Sequence, residues 1–252
     1  MTRWAEARAE FLMALGFLTR LPLPDGGYAP QRAARSPAWY PAAGAVIGLA
    51  TGCVWWIAAC VLPPHVAVLL AVAAGLLLTG ALHEDGFADC CDGLGGGRTR
   101  DRALEIMRDS RIGTYGALGL GMALAIRVAA LAALPALFWV MIAAQAASRA
   151  SMVAVIATSS YARPEGLGSA VAGGVDAGRL RLALALGAAA IIPLIVALPI
   201  MAVIAGLIGL TAGHLAMRMA FETRLGGYTG DCLGAVQICS EIGFYLGLLL
   251  WL

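Results

Sequence analysis

The sequence contains little charge and no lysine. Only 13% of its 252 residues are charged, against 61% that are hydrophobic, and its mean hydropathy is +0.84. The polar residues are too few to cover the surface of a soluble globule of this size. The composition therefore indicates a protein embedded in lipid. All 17 basic residues are arginines, and the 15 acidic residues leave a formal net charge of +2. This small excess gives no indication of a nucleic-acid partner.

Two other patterns are also absent. The cysteines form neither a CxxC pair nor the spacing of a zinc finger, and they lie in or beside apolar stretches. We interpret them as reduced structural thiols. They are Cys53, Cys60, Cys90, Cys91, Cys232 and Cys239. The N-terminus has no compact apolar core followed by a small-residue cleavage site, so the sequence predicts no removable signal peptide.

Long apolar runs dominate the rest of the chain. Seven of them approach the roughly 20 residues that a helix needs to cross the hydrocarbon core. They are 41–62, 66–83, 114–134, 137–158, 182–198, 200–217 and 233–252. Six or eight spans remain alternatives, because a tight turn around Pro199 separates the fifth from the sixth. Residues 3–20 instead have the pattern of an amphipathic interfacial helix. We therefore predict an all-α polytopic membrane protein, with residues 1–252 forming one integral-membrane catalytic domain.

The arginines indicate how the spans are oriented. Five precede the first span, five lie in 98–111, three in 163–181 and two at 218 and 224, whereas the short turns between these segments contain none. By the positive-inside rule, the N-terminus and the three long loops are cytoplasmic, and seven spans place the C-terminus outside. Arg127, Arg149 and Glu241 fall inside predicted spans. We expect Arg149 and Glu241 to neutralise each other, or Arg127 to pair with the polar residues near the loops.

An acidic segment follows the second run, from His83 to Gly93. On a helix, Asp85, Asp89 and Asp92 stand at i, i+4 and i+7, within an arc of about 60°. Carboxylates stacked in this way repel one another unless a cation lies among them. Oxygen ligands favour Mg²⁺, Mn²⁺ or Ca²⁺ over zinc, so these three residues are predicted metal ligands. The alternative is a solvated acidic helix end, which the interspersed Gly, Phe and Cys residues disfavour.

Glycines and arginines follow the acidic segment. Gly95, Gly96 and Gly97 precede Arg98 and Arg100, a combination that lets backbone amides and guanidinium groups bind phosphate oxygens. The alternative is an arginine-rich loop that only fixes the membrane topology. A neighbouring metal site instead favours a loop that binds a diphosphate. Two later glycine-rich loops carry charged residues that a topology signal does not require. We predict that these residues join the site as substrate contacts, namely Arg163, Glu165 and Asp231.

The acidic segment also resembles the corresponding segment of a known protein family. Residues 82–93, read with 102–113, resemble the cobalamin synthases, which are the adenosylcobinamide-GDP ribazoletransferases of bacteria and archaea. The resemblance extends to 17–22, 162–168 and 227–235, and so covers nearly the whole chain. Cys90 and Cys91 depart slightly from it, because small residues such as Thr or Ala are expected there.

The resemblance implies a Mg²⁺-dependent enzyme of the bacterial inner membrane. Such an enzyme joins adenosylcobinamide-GDP to α-ribazole, or its 5′-phosphate, and releases GMP. Asp85, Asp89 and Asp92 would bind the metal, and Asp109 would contact the metal or the attacking hydroxyl. Phosphate binding is assigned to Arg108 and Arg111, with Ser110 between them. The general base stays open among Asp92, Asp109 and Asp231, as does association with a second copy or with other corrinoid-pathway enzymes.

Two other functions fit parts of the pattern. A CDP-alcohol phosphatidyltransferase also uses aspartates at helical spacing, but its pattern requires Arg where this chain has Asp89. A divalent-metal transporter would concentrate its acidic residues at the membrane midplane, rather than at an edge beside arginines that repel a cation. Both patterns match the sequence less well than a ribazoletransferase does.

Overall fold

The computed structural model describes residues 3–24, 29–163, 171 and 173–252, and most of these are helical. A 3₁₀ turn spans Ser36–Trp39. The helices are α1 Arg3–Leu18, α2 Pro30–Arg35, α3 Tyr40–Ala59, α4 Pro64–Thr79, α5 Leu82–Gly96, α6 Arg100–Ile106, α7 Thr114–Ala133, α8 Leu137–Thr158, α9 Ala177–Ala197, α10 Ile200–Leu225 and α11 Gly230–Trp251.

Six helical stretches are long and apolar enough to cross a membrane. They are Pro30–Ala59, Thr114–Ala133, Leu137–Thr158, Ala177–Ala197, Ile200–Leu225 and Gly230–Trp251. A seventh crossing is reached only if the bent pair α4 and α5 is taken as one span. The predicted polytopic helical fold is confirmed. The predicted N-terminal helix is present as α1, which is not one of the spanning stretches.

The predicted span 66–83 does not continue as one straight helix. It ends at Thr79, because Gly80 and Ala81 both adopt left-handed conformations, with φ of 66° and 55°. The amide of Ala81 bonds back to the carbonyl of Leu76, a bond that closes the end of α4. Helix α5 then starts at Leu82 and runs 89° away from α4. The acidic segment therefore lies on a separate helix at the end of the bundle.

Helices α8 and α11 form the centre of the bundle. In their most apolar windows 78% and 67% of the residues are buried, compared with 17% for α10, which therefore presents most of its surface to lipid. Helices α10 and α11 nevertheless approach each other closely. A methyl group at Gly209 would overlap the carbonyl oxygen of Gly243, and the reverse also holds. Small residues of this kind allow helices to pack where lipid provides no hydrophobic force for association.

The arginine-bearing loops meet at one end of the bundle, as their spacing predicts. Arg100 donates to the carbonyl of Leu225 at 2.9 Å and to that of Ala162 at 2.8 Å. These bonds join the loops that follow α5, α8 and α10. Arg179 pairs with Glu10 of α1 at 3.3 Å, which adds the N-terminal helix to the same end.

A buried ionic cluster joins α5, α7 and α11. Arg127 of α7 donates to Glu84 of α5 at 2.9 Å and to Glu241 of α11 at 3.0 Å. Gln237 and Tyr245 also donate to the Glu241 carboxylate. The predicted pairing of Arg149 with Glu241 is therefore wrong, whereas the alternative pairing of Arg127 with the polar segment is confirmed. We call Glu84, Arg127 and Glu241 the ionic triad.

Candidate active site

The three aspartates of the acidic segment all lie on α5, in the helical register predicted for them. Their environments differ, since Asp85 is exposed, Asp89 is half-buried and Asp92 is buried. Helix α11 begins directly beside them. A methyl group at Gly86 would lie 2.9 Å from Cα of Asp231, so this glycine permits the close approach of α5 to the first turn of α11.

Asp92 is bound to the start of α7. Its Oδ2 accepts from the amide of Gly113 at 2.7 Å and its Oδ1 from the amide of Gly116 at 2.8 Å. The first amides of a helix have no partner inside the helix, so a carboxylate from a neighbouring helix satisfies them and interacts favourably with the helix dipole. Asp92 therefore fixes α7 against α5, whether or not it also binds a metal.

Asp89 faces an ion pair formed by two of the predicted substrate contacts. The guanidinium of Arg163 lies 3.1 Å from the carboxylate of Asp231. The pKa of Asp89 is raised to about 7, mainly by burial and also by the carboxylates of Asp231 and Asp85, whereas Arg163 opposes the rise. Burial and neighbouring carboxylates therefore both disfavour the charged form of Asp89.

The donor set at this place fits a hard divalent cation. Within the described ranges, no three His, Cys, Asp or Glu side chains are arranged to hold a metal ion by themselves. Mg²⁺ does not require such a cage, because it is usually bound by one or two carboxylates, waters and substrate phosphates. Asp85 and Asp89 offer oxygen ligands on one helix face, and their crowded charge would be relieved by a cation.

The loop between α6 and α7 presents its charges to solvent. Arg111 donates to both carboxylate oxygens of Asp109, at 3.0 Å and 2.6 Å. These hydrogen bonds lower the pKa of Asp109 to about 2. With Asp92 the two residues line an open pocket beside α6. The remaining predicted contacts in this region, Arg98, Arg108 and Ser110, are all exposed.

Arg100, a predicted phosphate contact, also has a structural role. Both of its bonds, described above, go to backbone carbonyls, so it fixes the loops in place. Together with Arg108, Tyr161 and Arg163 it also lines a second open pocket on the far side of α6. Glu165, the remaining predicted contact, lies outside the described residues.

Sequence reasoning missed two contacts that shape the site. Arg224 donates to the carbonyl of Gly97 and so anchors the glycine-rich segment to the end of α10. The backbone of Tyr228 pairs with the strand-like residues 160–162, which places Arg163 beside Asp231. The sequence shows Arg224 only as one of the topology-fixing arginines, and nothing in it links Tyr228 to residues almost 70 positions earlier.

The fold and this site define a polytopic helical membrane protein whose carboxylates and arginines converge at one end of the bundle. The chain belongs to the cobalamin-5-phosphate synthase family, which it matches over residues 10–249. It is 39% identical to the adenosylcobinamide-GDP ribazoletransferase of Ralstonia nicotianae, over 100% of this chain and 98% of that protein.

Other relatives carry the same name. The adenosylcobinamide-GDP ribazoletransferase of Leptothrix cholodnii is 43% identical, over 96% of this chain and 95% of its own length. That of Bradyrhizobium diazoefficiens is also 43% identical, over 93% and 90%. No solved structure matches the chain. These comparisons give no support to a phosphatidyltransferase or a metal transporter.

Proposed function

We propose that this protein transfers the cobinamide-phosphate group of adenosylcobinamide-GDP to α-ribazole or its 5′-phosphate. A ribose hydroxyl attacks the phosphorus nearest the corrinoid, the bond to the bridging oxygen breaks, and GMP leaves. The product is adenosylcobalamin or its 5′-phosphate. The observation that carries the proposal is the convergence of Asp89, Asp231 and Arg163 at one end of the bundle, in a chain related over its whole length to ribazoletransferases.

Some residues of this chain would bind charged groups, and others would position the reacting groups. Asp85 and Asp89 would hold Mg²⁺, with Asp92 as the predicted third ligand, and the cation would neutralise charge on the diphosphate. The side chains of Arg98, Arg108 and Arg111 are exposed and donate to no backbone carbonyl among the described residues, so they suit the phosphates.

Asp92 and Asp109 accept hydrogen bonds through both carboxylate oxygens. The contacts of Asp231 with Arg163 and Thr229, by contrast, both fall on its Oδ2. Through its Oδ1, Asp231 is therefore the best placed of the three candidates to accept the proton of the hydroxyl.

We propose that the site faces the cytoplasm from the bacterial inner membrane. A reporter fused after Ser110 should therefore read as cytoplasmic, and one fused after Pro135 should read as periplasmic, because the arginines cluster only at the first of these ends. Reporter activity in intact cells measures this. The opposite pattern would contradict the orientation and separate the site from cytoplasmic nucleotides.

Replacing Arg163 with Ala should mainly weaken substrate binding. The apparent KM should rise by about tenfold or more, on the scale of one lost charged hydrogen bond, with an unchanged Mg²⁺ requirement. Steady-state kinetics at several Mg²⁺ concentrations check this. Arg179→Ala is the matched control, since Arg179 follows the same loop but pairs with Glu10 instead. Equal kinetics for the two variants would reduce Arg163 to a topology signal.

The proposal is tested with membranes from cells that express the chain. Supplied with adenosylcobinamide-GDP and α-ribazole, these membranes should form adenosylcobalamin, identified by mass, whereas membranes from cells lacking the chain should not. Omission of α-ribazole should abolish corrinoid product. Expressing membranes that form no product under any condition would contradict the proposed function.

A further inference from the structure

A pocket lies between the first turns of α5 and α11, next to the Arg163–Asp231 ion pair. Its volume of ≈ 250 Å³ is close to the lower end of the usual range of small-molecule sites. Asp85, Arg163 and Asp231 line one part of it, and Tyr40 and Met152 line another. Because Asp85 is exposed while Tyr40 and Met152 are buried, the charged part forms the mouth. We call this cavity the aromatic pocket.

One wall of the aromatic pocket is apolar and extends from the exposed Phe17 to the buried Tyr40. The rings of Phe17 and Tyr40 are almost parallel, with 5° between their planes and 6.0 Å between their centroids. Met152 and Leu233 complete this wall. Aromatic faces and an adaptable thioether favour a planar, apolar ring system. A highly polar group would lose its hydrogen bonds on entering such a space.

One buried polar atom without a partner lies on a residue that the aromatic pocket shares with the cavity beside the ionic triad. This residue, His83, lines both cavities and is only 3% exposed. Its Nε2 has no hydrogen-bond partner among the residues that the structure describes. A buried polar atom without a partner costs free energy, so the pocket favours a ligand that carries a hydrogen-bonding atom at the edge of its ring.

We infer that the aromatic pocket binds the benzimidazole base of the ribazole acceptor, an inference that rests on the proposed function. This base is a flat, apolar bicycle with one unsubstituted ring nitrogen, which can hydrogen-bond to His83. Its ribose then lies at the mouth, beside Asp85 and Asp231, where its hydroxyl meets the phosphorus. The guanine of the donor carries donors and acceptors around most of its edge, and the apolar wall would leave them unpaired. The donor therefore occupies the arginine-lined surface outside.

The test compares two variants that carry the same substitution on the same helix. Met152→Phe adds bulk inside the aromatic pocket, whereas Met141→Phe adds it at an equally buried position that lines a different cavity. Met152→Phe should raise the KM for α-ribazole by at least about tenfold and leave the KM for adenosylcobinamide-GDP within about twofold. Met141→Phe should change neither value selectively.

A second measurement changes the acceptor substrate instead of a residue of the pocket wall. The riboside in which CH replaces the unsubstituted ring nitrogen should be a poorer acceptor for the wild type, by about tenfold or more in kcat/KM. The preference should disappear in His83→Ala, because the hydrogen bond is then absent for both acceptors. Equilibrium dialysis of α-ribazole against the purified protein reports binding independently of turnover.

The outcomes separate this inference from the proposed function. If the wild type makes adenosylcobalamin but Met152→Phe raises the KM for the donor, the pocket belongs to the donor and the inference is wrong. Equal effects of Met152→Phe and Met141→Phe on acceptor KM would likewise overturn it. A wild type that binds α-ribazole at the pocket but transfers nothing would overturn the proposed function and leave the binding site in place.

Discussion

Replacing Asp85 or Asp89 with Asn should lower turnover by at least about 100-fold without lowering the amount of protein in the membrane. Asn keeps the size of the side chain and one oxygen, but it removes a charge that a divalent cation and a diphosphate both require. A loss of this size corresponds to a few kcal/mol of transition-state stabilisation. Asp85 is exposed and Asp89 half-buried, so neither change should hinder insertion or folding. Turnover measured at matched membrane abundance checks the prediction.

The double variant and Asp92→Asn extend this test. Asp85→Asn combined with Asp89→Asn should be little worse than either single change, because losing one ligand already disables the metal site. Asp92→Asn should also lower turnover, and it should lower thermal stability as well, since an amide cannot accept from Gly113 and Gly116 with both of its polar atoms. Near-wild-type activity in all three single variants would reduce the acidic face to a solvated helix end.

Replacing Arg127 with Met should destabilise the protein by about 3–5 kcal/mol, because it removes the guanidinium that bonds both buried carboxylates, Glu84 and Glu241. Thermal unfolding in detergent measures this change. Turnover should also fall, since the ionic triad holds α5, which carries the three aspartates, against α7 and α11. Adding Glu241→Gln should recover part of the stability, because the remaining buried carboxylate, Glu84, then faces one buried cation, Arg149.

Arg102→Met is the matched control for Arg127→Met. Arg102 also forms an ion pair, with Glu105 at 2.8 Å, but both side chains are exposed. Solvent screens such a pair, and its loss should cost less than about 1 kcal/mol. Equal stability of the Arg127 and Arg102 variants would show that the ionic triad does not hold these helices together.

The apolar runs of the sequence predict most of the fold because crossing lipid imposes a strict length on each helix. The break at Gly80 and Ala81 could not be predicted in this way, since residues 66–83 form one uninterrupted apolar run. A left-handed Ala is uncommon, so local preference does not predict the conformation of Ala81. The register of α5, by contrast, was predictable from spacing alone.

The individual roles within the site were less predictable than its location. The three aspartates look equivalent in sequence, yet only Asp92 meets the amides of α7, which lie 21 and 24 positions further along the chain. Arg149 and Arg127 likewise look equivalent as buried arginines. The crossing of α5, α7 and α11 decides that Arg127 contacts Glu84 and Glu241. Contacts between distant elements of this kind leave no local signal in composition or spacing.

The measurement that tests the central claim most directly is the paired yield of GMP and adenosylcobalamin from the purified protein, followed while free Mg²⁺ is varied. Transfer at the carboxylates of α5 predicts that the two products appear in equal amounts and rise together with Mg²⁺. It also predicts that EDTA abolishes both and that Asp89→Asn yields neither at a comparable rate. Equal product formation in EDTA, or GMP release without adenosylcobalamin, would contradict the claim.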